Sequence, residues 1–434
     1  MSKRYIESNR LHERALHTIP LASQTFSKSA VQFPKGGSPL FIDCGAGSKV
    51  FDVDGNEYVD FVSGLLPIVL GYNDPDVNDA IRTQLDRGIV FSLPSPLEME
   101  LAELLVDVIP CAEQVRFGKN GTDATSAAIR LSRAFTGKEH VIALGYHGWQ
   151  DWYIGATTRN KGVPYVVGTL THRLGYNDLK NLKQKFDECR GNVACVIMEP
   201  MNFDMPLEGY IEEIRAICDV HGALLVFDEV ITGFRFSLGG AQEMLGVTPD
   251  LAAFGKAMGN GMPISAIVGR RDILREMEDV FFSGTFGGEA LSLAAAIAVI
   301  RKMQREPVIE HLWQFGQKVI DGTRALIKKH GLEAVVEVKG LAPWSTLTFT
   351  PHASASAQAI RTRYIVDMMA HGILTLGAHN ISYAHDENDL DQLLRANDSS
   401  FGNMRMALDS GTLEDDLEVD VIYPVFQVRG DSNK

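Results

Sequence analysis

The chain has 434 residues, of which 45% are hydrophobic and 22% charged, a composition typical of a folded protein with more than one domain. Its 41 basic and 55 acidic residues give a net charge of −14, which argues against a surface that binds nucleic acid or an anionic membrane. The longest apolar run near the start, at 65–70, contains Pro67 and is too short to span a bilayer.

The cysteines are sparse and odd in number, which is typical of reduced thiols in a cytoplasmic protein. They show neither a CxxC motif nor the spacing of a metal site: Cys44, Cys111, Cys189, Cys195 and Cys218. Residues 1–10 lack the apolar core of a signal peptide. We therefore expect a cytoplasmic protein without a bound metal.

The pattern of strands and helices predicts an α/β fold. A hairpin is indicated by Asp54-Gly55 between strand-like segments. Further on, four apolar runs are separated by helix-length stretches: 140–144, 194–198, 223–227 and 251–254. Such a series is typical of βαβ units and a mostly parallel sheet. We predict a large α/β domain at 74–310 and a smaller α+β domain built from residues 1–73 and 311–434.

The candidate phosphate site is Asn120-Gly121-Thr122, which precedes a strongly helical pattern at 124–135. Glycine and a hydroxyl at the start of a helix leave backbone N–H groups and the helix dipole directed at an anion. Taken alone, the same residues are an ordinary helix cap. The anion-site interpretation therefore depends on the other candidates.

Two acidic residues end neighbouring apolar runs. Asp228 follows 223–227, so its carboxylate should be buried at the carboxyl edge of the sheet and needs a partner or a proton. That partner is either a protonated pyridine nitrogen of a cofactor or Arg235 in a structural salt bridge. Glu199 ends the preceding run and would face the same crevice, orienting a ring substituent or a substrate amine, or binding an arginine.

Tyr146 and His147 follow the apolar run at 140–144. The tyrosine can place an aromatic ring over a planar cofactor. The histidine can serve the same site, or it can equally be a core histidine with satisfied hydrogen bonds. A weaker second phosphate candidate is the glycine-rich segment at 283–288, which contains Thr285 and opens a helix.

Lys256 follows the apolar run at 251–254, where parallel strands end and ligands bind in α/β sheets. A lysine there, near a buried acid, can form a Schiff base with a carbonyl cofactor. Pyridoxal 5′-phosphate (PLP) requires such a lysine, and a carboxylate for its pyridinium nitrogen. Lys256 and Asp228 supply both groups.

Taken in order, these motifs resemble those of the class III, fold-type-I PLP-dependent aminotransferases, and within them most closely the glutamate-1-semialdehyde 2,1-aminomutases. The matching segments are 37–42, 51–58, 69–73, Asn120-Gly-Thr-Asp-Ala-Thr125, 128–131, Tyr146-His-Gly148, Met198-Glu-Pro200, Phe227-Asp-Glu-Val-Ile-Thr-Gly-Phe-Arg235, Phe254-Gly-Lys256 and Gly284-Thr285. The resemblance covers about residues 20–310 and fades in the C-terminal third.

The resemblance implies a role for each matching residue. Lys256 would form the Schiff base and shuttle the proton, and Asp228 would hold the pyridine nitrogen, so these two are the catalytic residues. Val230 would pack on the cofactor ring opposite Tyr146. The cofactor-binding set is Asn120, Gly121, Thr122, Tyr146, His147, Glu199, Asp228, Val230, Lys256 and Thr285. The family is a homodimer with shared active sites, so Thr285 would reach the phosphate from the partner subunit.

The substrate end departs from the aminomutase pattern. The family's arginine for the substrate carboxylate is missing from 23–29, where Lys28 is the only cation. Arginine and lysine are not equivalent for bidentate capture of a carboxylate. The tryptophan of the family's Gly-Ser-Trp-Gly-Pro is absent from 63–67, and Glu289-Ala290 replaces an Asn-Pro.

The sequence therefore predicts a PLP-dependent aminotransferase that moves an amino group from an amino-acid donor to a keto or aldehyde acceptor. A sugar-like biosynthetic intermediate is one candidate for that acceptor. The alternative activity is that of glutamate-1-semialdehyde 2,1-aminomutase. A distant third hypothesis is a non-catalytic scaffold with the same fold. The expected partners are small-molecule substrates and a second copy of the chain.

Overall fold

A computed structural model describes residues 3–423. These residues form two compact units, one of 3–74 with 310–423 and the other of 75–309. The C-terminal domain predicted from the sequence extends to residue 434, and its last part, 424–434, lies outside the described residues, as do residues 1 and 2 of the N-terminal segment.

The strands of the described chain are short, mostly of three to six residues. They are β1 (Ile42–Ala46), β2 (Lys49–Asp52), β3 (Glu57–Asp60), β4 (Gln114–Gly118), β5 (His140–Leu144), β6 (Thr171–Arg173), β7 (Val193–Met198), β8 (Leu224–Asp228), β9 (Leu251–Phe254), β10 (Ser265–Gly269), β11 (Val336–Leu341), β12 (Trp344–Phe349), β13 (Ile373–Leu374) and β14 (Ala378–Asn380).

The α-helices alternate with these strands through most of the chain. They are α1 (Ile6–Leu16), α2 (Pro75–Leu85), α3 (Pro96–Val108), α4 (Gly121–Thr136), α5 (Asp151–Ile154), α6 (Tyr165–Thr169), α7 (Leu179–Glu188), α8 (Tyr210–His221), α9 (Ala241–Leu245), α10 (Arg271–Leu274), α11 (Ala290–Arg305), α12 (Val308–Lys329), α13 (Ala357–Ala370) and α14 (Glu387–Ser410). Within residues 3–423, none of them has both the length and the hydropathy needed to cross a membrane.

The unit of residues 75–309 is built on a seven-stranded sheet with the order β4-β10-β9-β8-β7-β5-β6. Strands β6, β5, β7, β8 and β9 run parallel, while β10 pairs antiparallel with both β9 and β4. The predicted mostly parallel sheet is therefore confirmed. The sequence interpretation missed β6 and β10, because neither stands out as a run flanked by helical patterns.

Helix α4 covers one face of this sheet with small side chains. Ala124, Ala127 and Ala128 are buried in one hydrophobic cluster with Cys195 and Val226 of the strands beneath. Alanine has the highest helix propensity and lets the helix axis approach the sheet closely. This packing fixes where the N-terminus of α4 meets the sheet.

The unit of 3–74 and 310–423 holds two smaller sheets. One has the order β1-β2-β3-β13 and the other β11-β12-β14. The predicted hairpin is confirmed: β2 and β3 are antiparallel, and the Asp52 N–H donates to Asn56 O at 3.0 Å. Gly55 occupies the turn with a φ of +85°, a conformation that glycine adopts without strain.

Candidate active site

The ends of three parallel strands bring two acidic side chains to the same edge of the sheet. Leu144 is in register with Met198, and Met198 with Phe227. Glu199 and Asp228, which follow Met198 and Phe227, therefore end adjacent strands at the same level. In open α/β sheets this carboxyl edge is where ligands bind.

Asp228 is buried, with 6% of its surface exposed, and both of its carboxylate oxygens are hydrogen-bonded. Oδ2 lies 2.8 Å from His147 Nδ1, and Oδ1 accepts from the Val230 N–H at 3.2 Å. The alternative of a salt bridge to Arg235 is wrong, since the side chain that contacts the Asp228 carboxylate among the described residues is His147. A carboxylate with two bonds keeps lone-pair capacity for a further donor.

His147 is fixed from several directions. Thr125 Oγ1 donates to His147 O at 2.9 Å, and the Trp152 ring is stacked on the imidazole with 6.3 Å between ring centroids. Its Nδ1 meets Asp228, whereas its Nε2 is buried without a hydrogen-bond partner among the described residues. Buried polar atoms are rarely left unsatisfied. The interpretation as a fully satisfied core histidine is therefore wrong for one ring nitrogen.

The loop before α4 is tightened by a single carboxylate. Asp123 Oδ2 accepts from the Lys119 N–H at 3.0 Å and from the Asn120 N–H at 2.8 Å. Asn120 is exposed at the helix start, and Gly121 is the first residue of the helix. Because α4 is 16 residues long, its free N–H groups and dipole can attract an anion here.

The hydroxyl of Thr122 lies at the same end of α4 and has no hydrogen-bond partner in the described part of the chain. Thr122 is 8% exposed, and its Oγ1 is buried without a hydrogen bond among the described residues. Two glycines keep the surroundings open: a Cβ on Gly148 would come within 3.0 Å of this hydroxyl, and one on Gly121 would lie 2.8 Å from Val230 Cγ1. An orphaned hydroxyl at a helix N-terminus, with glycines around it, fits the phosphate of PLP.

Tyr146 and Glu199 are linked through the backbone after β5. The Tyr146 N–H donates to Glu199 Oε2 at 3.3 Å, and a Cβ on Gly145 would lie 2.5 Å from the same oxygen. Tyr153 donates its hydroxyl to Gly145 O at 2.8 Å and meets the Tyr146 ring edge-on at 5.7 Å. Tyr146 also packs on the cluster that contains Val230, so both predicted ring contacts belong to one hydrophobic group.

Lys256 begins a short 3₁₀ turn directly after β9 and has a φ of +42°. The left-handed region is uncommon for a residue with a side chain and is often found at functional sites. The preceding residue, Gly255, ties this turn to the site. A Cβ there would lie 3.6 Å from Val230 Cγ1 and 3.8 Å from Gly121 Cα. The structure thus brings the backbone of the lysine turn against the predicted phosphate loop.

Thr285 lies apart from this group, on an exposed turn ahead of α11. In the described part of the chain no hydrogen bond joins it to the other predicted residues. Its loop is nevertheless tied to the phosphate loop, because Lys119 Nζ contacts Glu289 Oε2 at 2.9 Å. Burial raises the pKa of Glu289, but hydrogen bonds from Ser292 and Lys119 outweigh this and lower the pKa overall.

The sequence analysis did not assign a role to the residues that position the site's side chains without binding the cofactor themselves. Gly145 and Gly148 leave room for Glu199 and Thr122, and Tyr153 holds the Gly145 carbonyl. The available signal was the spacing of two glycines on either side of Tyr146-His147, immediately after an apolar run. No comparable signal identified Tyr153.

Comparison with known proteins identifies the family. A model described as aminotransferase class-III matches residues 32–385. A 3-aminobutyryl-CoA aminotransferase from Cloacimonas acidaminovorans (strain Evry) is 35% identical in an alignment of length 387, which covers 87% of this chain and 92% of that protein. A β-phenylalanine aminotransferase from Variovorax paradoxus superimposes with a TM-score of 0.80 at 26% identity, over 92% of this chain and 94% of that one.

A glutamate-1-semialdehyde aminomutase from Pseudomonas aeruginosa PAO1 shares the fold as well, with a TM-score of 0.82 over 92% of this chain and 95% of that one. At 23% identity this likeness shows the fold alone, so the aminomutase is the weaker of the two predicted activities. The prediction of an aminotransferase is confirmed, and that of PLP as its cofactor with it. The chain belongs to the class-III aminotransferases, fold-type-I enzymes that use PLP to transfer an amino group between small molecules.

Proposed function

We propose that this aminotransferase takes its amino group from carbon 3 of an acyl thioester and passes it to a keto acceptor. The observation that carries the proposal is the likeness to the 3-aminobutyryl-CoA aminotransferase, which extends over 92% of that protein. The β-phenylalanine aminotransferase agrees, because its named substrate also has the amine on the β-carbon. The proposal replaces the sugar-like acceptor considered from the sequence, which no structural observation favours.

The absent arginine is consistent with a thioester substrate. An arginine that binds a substrate carboxylate in the resembling family has no counterpart at 23–29, where Lys28 is exposed at the end of a short 3₁₀ helix. A free carboxylate is best bound by the two parallel N–H groups of a guanidinium. A thioester carbonyl carries no charge, so its binding does not require that group.

The unit of residues 75–309 is proposed as the PLP-binding domain, because all ten predicted site residues lie in it. When bound, PLP supplies the electron sink that lets a C–H bond next to the substrate nitrogen ionise. Asp228 would face the pyridine nitrogen and keep it protonated. The bonds from His147 and from the Val230 N–H hold both carboxylate oxygens in place for this role.

Lys256 would bind the cofactor carbonyl carbon through Nζ and, once released, use the same amine to carry a proton from substrate carbon 3. Val230 and Tyr146 would enclose the cofactor ring. The N–H groups of Gly121 and Thr122, with the Thr122 hydroxyl, would bind the phosphate. Glu199 would hold the backbone of Tyr146 in place, since the Tyr146 N–H is hydrogen-bonded to the Glu199 carboxylate.

The test compares two donors on the PLP-loaded protein, 3-aminobutyryl-CoA and the free amino acid 2-aminobutyrate. Each donor is added without an acceptor, and the loss of the cofactor's visible absorption gives the rate of the first half-reaction. We expect 3-aminobutyryl-CoA to react at least about 100-fold faster than 2-aminobutyrate, since only the former presents its amine on carbon 3 of a neutral acyl group. Equal rates for the two donors would contradict the proposal. Turnover of glutamate-1-semialdehyde without any donor would support the aminomutase instead.

We further propose that the enzyme is a homodimer in which Thr285 serves the partner's site. Large apolar side chains are 42–80% exposed on two segments around this residue: Ile89, Val90, Phe91, Leu93, Phe281 and Phe286. The segments are adjacent, because the N–H of Ala290 donates to Ile89 O at 2.8 Å. Apolar patches of this kind mark protein interfaces.

A cytoplasmic location is proposed as well, supported by five cysteines that are all free thiols.

A further inference from the structure

A second cluster of reactive side chains lies at the opposite end of the parallel sheet from the PLP site. His140 is the first residue of β5, whereas the site residues follow the end of that strand. His172 lies on β6 opposite Ile142, so it is the diagonal neighbour of His140 on the same face. Cys189 caps the C-terminus of α7. These three residues have no part in the proposed reaction.

The three side chains converge on one point. His140 Nδ1 lies 3.0 Å from His172 Nε2, and Cys189 Sγ lies 3.6 Å from the same nitrogen. One ligand atom from each of the three side chains lies within 4.8 Å of the other two. Tetrahedral zinc with bonds of about 2.05 Å to nitrogen and about 2.3 Å to sulfur places its ligands about 3.3 Å (N to N) and about 3.6 Å (N to S) apart. The observed distances, 3.0 Å between the two nitrogens and 3.6 Å from His172 Nε2 to the sulfur, are close to these values.

We propose that His140 Nδ1, His172 Nε2 and Cys189 Sγ bind a divalent transition metal of zinc type, with a water molecule as the fourth ligand. Two imidazoles and a thiolate are ligands that zinc prefers in proteins. The arrangement recruits its ligands from β5, β6 and α7. Because the ligands are 32 and 17 residues apart, the sequence spacing did not indicate a metal site.

Two contacts in this cluster compete for the same ring nitrogen, His172 Nε2. His172 Nε2 has either one proton to donate or one lone pair to offer, yet it meets both His140 Nδ1 and Cys189 Sγ. One of the two contacts is therefore left without a hydrogen bond in either tautomer. A metal ion would accept the lone pairs of all three atoms at once.

The charges around the cluster permit a cation. The nearby ammonium of Lys185 is paired with the carboxylate of Glu188. Their opposite charges offset each other at the site. Binding would displace the thiol proton of Cys189, as in other zinc sites with cysteine.

Such a metal would stabilise the edge of the sheet. β6 is the outermost strand and pairs with β5 through three residues. A short edge strand is weakly held by its backbone bonds alone. Bonds from one ion to β5, β6 and the end of α7 would fix all three elements, and the ion would raise the melting temperature without entering the reaction.

The experiment measures metal binding by the PLP-loaded protein. The enzyme is treated with a chelator, dialysed against Zn²⁺, and assayed for bound zinc per chain and for melting temperature. We expect one zinc per chain and a higher melting temperature in wild type and in Cys44→Ser, which alters an exposed cysteine outside the cluster. In Cys189→Ser and His172→Gln the affinity should fall at least about 100-fold, since loss of a residue that only supports a metal ligand already costs about 10- to 100-fold. Zinc uptake that is equal in all four proteins would overturn the proposal.

Cobalt binding provides a spectroscopic test that can be made on the wild-type protein alone. Co²⁺ added to the wild-type holoenzyme should produce a thiolate-to-cobalt charge-transfer band in the difference spectrum, and Cys189→Ser should lack it. If wild type shows no such band, or binds less than one zinc per chain, the three side chains form an ordinary hydrogen-bonded cluster and the proposed metal site is wrong. If Cys189→Ser does not fold, as judged by its melting curve in chelator, the wild-type cobalt spectrum decides.

Discussion

Gly148 packs directly on the hydroxyl of Thr122, so that a Cβ on the glycine would come within 3.0 Å of the threonine Oγ1. The glycine has a φ of +101°, in the left-handed region where side chains are strained. The contact joins the loop after β5 to the start of α4. Because glycine has no Cβ, the loop can approach this closely, and the Thr122 hydroxyl keeps its position in the proposed phosphate site.

Substitution of this glycine should damage cofactor binding. Gly148→Ala is expected to weaken PLP binding at least about tenfold, because the methyl group must displace the Thr122 hydroxyl or the loop. The matched control is Gly137→Ala, which also has positive φ but nothing within 4 Å of its Cβ position. That control should lose about 1–2 kcal/mol of stability, because alanine is strained in the left-handed region, and it should keep its PLP affinity. Titration of the two apoproteins with PLP measures their affinities, and urea unfolding measures their stability. Equal PLP affinities for Gly148→Ala and Gly137→Ala would contradict the proposed phosphate site.

The pair of His147 and Asp228 gives a prediction about coupling. Asp228→Asn should slow the first half-reaction about 10²- to 10³-fold, because a buried charge facing the cofactor is lost. His147→Phe removes one bond to that carboxylate, worth about 1.5–3 kcal/mol, and should slow the reaction about 10- to 100-fold. If His147 acts through Asp228, the double variant is no slower than Asp228→Asn. Single-turnover absorbance measures the rates; additive losses would show an independent role for His147.

Much of the site was predictable because it is defined by strand ends. Glu199, Asp228 and Lys256 each follow an apolar run, and parallel strands bring such positions to one edge of the sheet. The protein partner of Asp228 was not predicted: the sequence analysis named a cofactor nitrogen or Arg235, and it considered His147 only as a residue of the cofactor site or a core histidine. The structure selects His147 because β5 and β8 both adjoin β7.

Contacts between loops could not be predicted from the sequence, for a different reason. The approach of Gly148 to Thr122 and the tie between Lys119 and Glu289 join segments 26 and 170 residues apart. No local pattern records such contacts, because they depend on how α4 packs on the sheet. The same limit hid the cluster of two histidines and a cysteine, which comes from three separate elements.

The proposed contribution of Thr285 to the partner's site can be tested by mixing subunits. Thr285→Ala should weaken PLP binding about tenfold through the loss of one hydrogen bond to phosphate. In a heterodimer with Lys256→Ala, the site that keeps Lys256 receives an intact Thr285 from the other chain. We therefore expect native affinity to return in about half of the sites that keep Lys256, which is about a quarter of all sites, after equal amounts of the two variants are dissociated and reassembled at random. Affinity that stays at the Thr285→Ala value would show that Thr285 serves its own chain.

Acid should destabilise the unit of 3–74 and 310–423 through His379. This histidine is fully buried on β14, with its Nδ1 3.0 Å from Ser345 Oγ. Burial lowers its pKa to about 4, from an ordinary value of about 6.5 in the unfolded chain. Between these values the unfolded state binds a proton that the folded state refuses, so stability falls as the pH drops from about 6.5 to about 4.

The difference between wild type and His379→Gln isolates this contribution from the other titrating groups. Between pH 7.5 and pH 5 the unfolding free energy of wild type should fall by about 2 kcal/mol relative to the variant, because glutamine takes up no proton in the unfolded chain. Urea unfolding of both proteins at the two pH values measures the change. A stability difference that is the same at both values would mean that His379 is protonated in the folded protein as readily as in the unfolded chain.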